Sequence, residues 1–393
     1  MLALAFAIPA YILLIFIFYK QVRYINKYFG GSKLLIALSA IYLLISPLSI
    51  PAAFFSPRGT LLRRILSNIG NYWMGFNLHF VLAMGVCFLI RLIVKLVKKD
   101  KYNLRLAQKI TNVAVVSFTI LMSVYGIVNA QNLKVTTYDV TVDKSSKQDE
   151  LNVVLIADLH LGYSVGVKQM ERMVNKINEL QPDVVVVAGD IFDNEFSAIY
   201  NPVRVAEILR GINSKYGVYA VYGNHDIEED ILCGFTFSDD DVTQVTSIKE
   251  MDDFIENCGF TFLYDEAILI NDDFYIYGRP DEERPNFGND SRLEAEKITE
   301  GLDLSKLIIC VDHEPHDQKK LSAAGVDVDL NGHTHAGQLF PGNIIINFFW
   351  DIAYGYKNFD GMHNIVTSGV GLFGPNMRTF TKAEIAQVKI HLN

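Results

Sequence analysis

Charge and apolar residues in this chain divide sharply near residue 133. Residues 1–133 hold 14 Lys/Arg and a single acidic residue, Asp100, whereas the remainder holds 21 Lys/Arg against 43 Asp/Glu. The net charges are +13 and −22, which together make the −9 of the whole chain. Such a split marks two physically different modules. A length of 393 residues leaves room for one domain of about 250 residues and a second body beside it.

The basic module is also the apolar one. Apolar runs fall near Leu2–Tyr19, Leu34–Phe55, Tyr72–Val94 and Ile110–Val128, each 18 to 23 residues long. An α-helix of that length covers a hydrocarbon core about 30 Å thick. The basic residues lie in the connections, apart from Arg91 near the end of the third run, from where a long side chain reaches the interface. A soluble bundle needs polar helix faces, and these runs have none. Residues 1–133 are therefore expected to be an all-α module of four transmembrane helices, with residues 134–393 as a separate domain. A signal peptide is disfavoured for the first run, which has no basic residue ahead of it and runs into Lys20 and Arg23. The first connection carries Lys20, Arg23, Lys27 and Lys33, and the third carries Lys95, Lys98, Lys99, Lys101, Arg105 and Lys109. The second has only Arg58, Arg63 and Arg64. The positive-inside bias then predicts a multi-pass protein of the cell membrane with its N-terminus and its acidic domain on the extracytoplasmic side.

In the acidic module strand and helix patterns alternate. Asn152–Ala157, Asp183–Ala188, Gly217–Tyr222, Leu307–Val311 and Val326–Leu330 read as strands buried on both faces. Val167–Leu180, Pro202–Ile212, Ser247–Cys258, Leu293–Leu302 and His316–Ala324 read as helices, and Phe260–Leu269 with Asp273–Tyr277 as a strand pair. The tail from Ile344 to His391 reads as strand-rich. This is an α/β fold with helices over a buried sheet, and the strand pair suggests a second sheet. Cysteine is uninformative: Cys233, Cys258 and Cys310 make no disulfide framework and show no Cys-x-x-Cys spacing.

Five polar clusters each follow one of these buried runs. They are Asp158-Leu159-His160, Gly189-Asp190 with Asp193, Gly223-Asn224-His225-Asp226, His313, and Gly332-His333-Thr334-His335. Ligands in α/β folds collect at the carboxyl ends of the strands, so the clusters are expected to meet in one site. Carboxylates mixed with neutral imidazoles suit Mn²⁺, Fe²⁺ or Zn²⁺ better than Ca²⁺. One Asp can bridge two ions, and two adjacent ions activate water against a phosphate ester. A nucleic-acid substrate is disfavoured by the −22 charge and the lack of a basic stripe.

These clusters closely resemble the calcineurin-like metallophosphoesterase superfamily, whose motifs run D-x-H, G-D-x-x-D, G-N-H-D/E, H and G-H-x-H. The likeness spans roughly residues 150–390 and is complete at the ligand positions. Gly332–Gln338 also looks like the signature Gly-His-Thr-His-Gly/Ala-Gly-Gln of a membrane-attached bacterial group. That group includes cell-wall-located phosphoesterases and some enzymes that cleave UDP-diacylglucosamine. The resemblance implies a sandwich of two mixed sheets flanked by helices, with two divalent metal ions (Mn, Fe or Zn). It implies one ion on Asp158, His160, Asp190 and His335, and a second on Asp190, Asn224, His313 and His333. His225 is then the catalytic acid or phosphoryl contact, with Asp226 orienting its ring and Asp193 outside the ligand set.

His316 reads either as a cleft residue or as the start of a surface helix. Arg378 reads either as a phosphate contact or as packing for the C-terminal strands. Glu228–Ile248, which contains Asp239-Asp240-Asp241, interrupts the fold. The aromatic run Ile344–Tyr356 reads as core strand, or else as an acyl-chain groove or a bilayer contact. The resulting expectation is a membrane-tethered binuclear-metal phosphoesterase for a phosphodiester or pyrophosphate of a lipid-linked or cell-envelope substrate. A membrane sensor or scaffold on a degenerate phosphoesterase fold is the alternative, disfavoured because no ligand position is missing. A transporter is disfavoured because the spans lack the ionisable residues that mark a solute pathway.

Overall fold

A computed structural model of the chain describes residues 33–99, 103–229, 231–232, 235–236, 248–282 and 292–393, with scattered positions between 9 and 26. The chain divides into two compact units. Residues 1–127 with 231–236 and 374–377 form one; residues 128–230, 237–373 and 378–393 form the other.

The first unit is helical. It contains α1 (Lys33–Phe54), α2 (Leu61–Lys98) and most of α3 (Leu104–Ala130). Thr60 starts α2 by accepting a hydrogen bond from the Arg63 backbone N–H on its side chain, at 3.3 Å. The Arg63 guanidinium in turn donates to the carbonyls of Phe54 and Ser56, at 3.3 and 3.0 Å. A cation therefore closes the C-terminal end of α1, where the helix dipole favours it. Among the described residues two helices, α2 and α3, are long and apolar enough to cross a membrane. They contain the expected third and fourth spans. The first expected span, Leu2–Tyr19, lies largely outside the described residues, as does Asp239-Asp240-Asp241. The rest of Glu228–Ile248 includes a short hairpin, β5 (Ile231–Leu232) with β6 (Phe235–Thr236).

The second unit is built on two six-stranded mixed sheets. The first takes β1 (Leu133–Val142), β2 (Glu150–Ile156), β3 (Val184–Ala188), β4 (Val218–Val221), β7 (Thr261–Phe262) and β14 (Ala383–Leu392), in the order β1-β14-β2-β3-β4-β7. The second takes β8 (Glu266–Ile270), β9 (Phe274–Gly278), β10 (Leu307–Val311), β11 (Val328–Asn331), β12 (Gly355–Phe359) and β13 (Met362–Val366), in the order β12-β13-β11-β10-β9-β8. Strands β2, β3, β4 and β7 run parallel, as do β9, β10, β11 and β13.

Alternation along the strands explains why they read as continuous apolar runs. In β3, Val184, Val186 and Ala188 face the core shared with β9, β10 and β11, while Val185 and Val187 pack with the helix layer. That layer is α4 (Val167–Glu179), α5 (Pro202–Arg210) and α6 (Lys249–Cys258), which contribute Met170, Met173, Ile177, Val205, Leu209 and Phe254. In β10, Leu307, Ile309 and Val311 face inward, while Ile308 and Cys310 pack with Leu321 of α7 (Gln318–Ala324). A strand covered on both sides has no polar face to reveal its period.

Three local expectations are corrected. Phe260–Leu269 is not one strand: the chain turns at Asp265, whose φ is 49°, so that β7 belongs to the first sheet and β8 to the second. Leu293–Leu302 is not a helix but successive turns around a short 3₁₀ segment, Ala295–Lys297, with the Thr299 hydroxyl bonded to the Ala324 carbonyl at 2.7 Å. The start of Ile344–Tyr356 is not core strand. It belongs to α8 (Gly342–Ile345) and a 3₁₀ turn (Ile346–Phe348), and none of these residues is buried.

Candidate metal centre

The five polar clusters occupy the loops that leave β2, β3, β4, β10 and β11, three from one sheet and two from the other. Main-chain bonds tie these loops together. The Asp158 N–H donates to the Gly189 carbonyl and the His160 N–H to the Asp190 carbonyl, both at 3.0 Å. The His333 N–H donates to Asp158 Oδ1, and the His225 N–H to Asp190 Oδ1, each at 2.9 Å. The turns are sharp. Asp158, His160, Asp190, His333 and His335 all have φ between 45° and 70°, the left-handed region that side chains seldom adopt. Strain of this kind persists only where surrounding structure imposes it, and it clusters at functional sites.

The side chains converge in two groups. Asp158, His160 and His335 bring ligand atoms within 4.8 Å of one another, and so do Asp190, His313 and His333. In the first group the Nε2 atoms of His160 and His335 stand 3.0 Å apart. In the second, His313 Nε2 and His333 Nδ1 stand 3.2 Å apart. Asp190 Oδ2 lies between the groups, 3.5 Å from His160 Nε2 and 3.2 Å from His313 Nε2. His313 Nδ1 donates to the Ala188 carbonyl at 2.8 Å, so its Nε2 lone pair is directed at the site. Asp158 Oδ2 is buried with no hydrogen-bond partner among the described residues. Facing imidazole nitrogens and an unbonded buried carboxylate oxygen are costly unless a cation accepts them together. This donor set fits borderline divalent ions.

The charge states divide across the donor set. Burial holds His333 at about 4, with the nearby His313 charge acting in the same direction. Burial, then the charges of His160 and Arg378, keep His335 well below its ordinary range, and burial lowers His225 as well. These rings are neutral near pH 7 and keep a lone pair to offer. Burial works against ionisation of Asp190, but His313 and His225 outweigh it and hold the carboxyl well below the usual range. Burial lifts Asp158 to about 6. Burial also disfavours charge on His313, yet Asp190 and Asp158 outweigh that and raise it well above an ordinary imidazole. A proton and a metal ion compete for that one lone pair.

The remaining candidates fall around these groups. His225 lies beside the first group, its ring centroid 5.2 Å from that of His160. Asp226 does not orient that ring. Its two oxygens accept from the backbone N–H groups of Phe192 and Gly223, at 2.8 and 2.7 Å, which fixes the turn bearing Asn224 and His225. The atom bonded to His225 Nδ1 is Asn194 Oδ1. Asp193 approaches His160 Nδ1 at 3.4 Å. Asn224 sits in the same turn, next to His225. Arg378 is fully buried among main-chain carbonyls, donating to Ser368 and Gly371 at 2.7 and 2.9 Å and to His335 at 3.3 Å. It braces the His335 turn from behind. His316 precedes α7, bonded to Glu314 at 2.9 Å, with its ring 4.5 Å from Trp350.

Two residues of the site carry no signal in the motifs. Phe373 lies over the imidazoles, its ring centroid 5.6 Å from His160 and 4.7 Å from His225. Gln338, the last residue of the Gly332–Gln338 stretch, pins it in place. Its side-chain amide donates to the Phe373 carbonyl at 2.8 Å and accepts from the Phe373 N–H at 3.0 Å. Trp350 packs on His333 at 5.2 Å between centroids.

Residues 151–337 match the family model of the calcineurin-like phosphoesterases. The stretch that carries the site is thus similar to the calcineurin-like phosphoesterases. Among relatives, it is 30% identical over 286 residues to a protein of Danio rerio named transmembrane protein with metallophosphoesterase domain. That match covers 69% of this chain and 60% of the relative. It is 28% identical over 274 residues to a metallophosphoesterase of Aquifex aeolicus, covering 69% of this chain and 97% of that one. The chain therefore spans less than two thirds of the fish protein but nearly all of the bacterial one.

Proposed function

We propose that this chain is a membrane-anchored phosphoesterase with a two-metal centre. One ion is assigned to Asp158, His160, Asp190 and His335, and the other to Asp190, Asn224, His313 and His333. The observation that carries the reading is the Asp190 carboxylate lying between two pairs of facing imidazole nitrogens. Divalent ions at those positions supply Lewis-acid stabilisation of phosphoryl charge and a reactive water.

The protein's own groups divide the remaining work. Asp190, ionised and buried, links the two halves of the ligand set. His225 moves the proton: Asn194 Oδ1 holds its Nδ1–H, so the neutral ring takes a proton on Nε2 from the attacking water and returns it to the leaving group. Phe373 and Trp350 exclude water around the imidazoles. Asp226 and Arg378 position the loops without touching substrate.

Helices α2 and α3, the basic connections of the sequence and the fish relative's name support a membrane anchor of four spans with the domain on the extracytoplasmic side. A phosphodiester or pyrophosphate carried by a lipid or by the cell envelope fits that placement. The test is hydrolysis by the purified full chain, supplied in turn with Mn²⁺, Fe²⁺ and Zn²⁺, of an aryl phosphodiester, an aryl phosphomonoester and a lipid pyrophosphate. Metal-dependent turnover should fall at least ~10³-fold in Asp190→Asn, with bound metal reduced when measured by elemental analysis. Undiminished turnover in that variant would overturn the assignment.

A further inference from the structure

Beside the site, the unit displays exposed apolar side chains. Between Phe340 and Phe349 it makes the α8 turn and then the 3₁₀ turn, and from Pro341 to Trp350 no residue is buried. Phe348 is 81% exposed and Phe349 76%. Ile344, Ile345, Phe340 and Phe380 are also exposed, and the rings of the last two meet edge to face at 5.7 Å between centroids. Exposed apolar side chains grouped in this way mark a contact surface.

Two observations indicate what covers it. The polypeptide enters β1 at Leu133 directly after α3, a helix of membrane-crossing length that ends at Ala130. A tether of so few residues reaches about 10 Å. The next residue along from Phe349 is Trp350, whose ring lies against His333. Aromatic and aliphatic side chains on a short helical turn are the composition that enters the interfacial layer of a bilayer.

We propose that the Phe340–Phe349 turn, together with Phe380, is a lipid-docking element that dips into the bilayer surface and holds the Trp350 edge of the site against it. This rests on the reading that the helices cross a membrane. It specifies that reading by making the bilayer surface the place from which substrate is taken.

The test places single tryptophans in the full chain reconstituted into phosphatidylcholine/phosphatidylglycerol vesicles. In a Trp73→Phe/Trp350→Phe background the probe substitutions are Phe348→Trp, Leu89→Trp in α2, and Leu304→Trp on an exposed loop of the domain. The Phe348 probe should be quenched at least twofold by phospholipids brominated on their acyl chains. Its iodide quenching should be several-fold weaker than that of the Leu304 probe. If the Leu89 probe is quenched by brominated lipid while the Phe348 probe responds only to iodide, the docking element is overturned and the anchor stands. If the Leu89 probe is not quenched, the membrane reading and the proposal fall together. A Phe348 probe shielded from iodide equally well in detergent, in a concentration-dependent way, would assign the surface to a second copy of the chain and overturn the lipid proposal. None of these readouts depends on catalysis, so the hydrolytic reading is tested separately.

Discussion

At the scale of single residues, the site is made of side chains whose charge is set by burial and by one another. His225 illustrates this: burial lowers its proton affinity, and Asn194 Oδ1 fixes one ring nitrogen. Removing the ring in His225→Ala should lower kcat about 10²- to 10⁴-fold, the usual worth of a positioned proton donor. Metal content should be unchanged, since His225 lies outside the assigned ligands; steady-state kinetics and elemental analysis together check this. Asn194→Ala should lower kcat less and alter its pH profile, because it acts only through the ring. Away from the site, Asp329 is fully buried in β11, and burial, with Asp312 adding to it, pushes its carboxyl up to about 7. Its unfolded value is about 3.9. The folded state therefore holds a proton that the unfolded state releases, so the contribution is present below about pH 4 and is lost as pH rises to about 7. Asp329→Asn keeps the shape but cannot ionise. Its thermal midpoint should gain on that of the parent protein as pH is raised from 5 to 7.5.

At the scale of elements, the turns after the strands do more than carry ligands. Gly189 has φ of +74°, and a Cβ there would lie 2.6 Å from His313 Nδ1 and 2.7 Å from the Gly223 nitrogen. Gly189→Ala should therefore displace the His313 ring as well as strain the backbone, at about 1–3 kcal/mol for the conformation alone. The expected result is a lower thermal midpoint and at least a ~10-fold loss of kcat/KM, read by calorimetry and kinetics on the same preparation. Strand ends were legible in the sequence because each buried apolar run stops where a polar cluster begins, as at Ala157-Asp158 and Ala188-Gly189-Asp190. The break at Asp265 was not legible. Phe260–Leu269 is apolar on both sides of it, and only the two sheets decide that Leu263 bonds to the Ala220 carbonyl while Glu266 pairs with Gly278.

At the scale of the whole molecule, the proposed metal centre would cross-link the two sheets. Asp158 and Asp190 follow strands of the first sheet, and His313, His333 and His335 follow strands of the second. Ions bound only by the folded protein stabilise it by mass action, by about 2.7 kcal/mol when free ion exceeds its Kd a hundredfold. Stripping metal with a chelator should lower the thermal midpoint of the full chain in detergent by several degrees, and adding back Mn²⁺ or Zn²⁺ should restore it. In Asp190→Asn the chelator should have little further effect, which separates metal linkage from general destabilisation.

Read without the structure, the chain already yields the expectation of two modules, the α/β class of the acidic one and the candidate ligands. Those features depend on local quantities: charge balance, the length of apolar runs, and which residues stand at their ends. Tertiary structure alone decided which atoms meet. Asn194 rather than Asp226 reaches His225, Gln338 holds Phe373 over the imidazoles, and Arg378 braces His335 from within a cage of carbonyls. It also turned Ile344–Phe349 outward instead of into the core. Each of these depends on loops from distant parts of the chain being brought together by the two sheets, and the spacing of residues within any one loop carries no record of its partner.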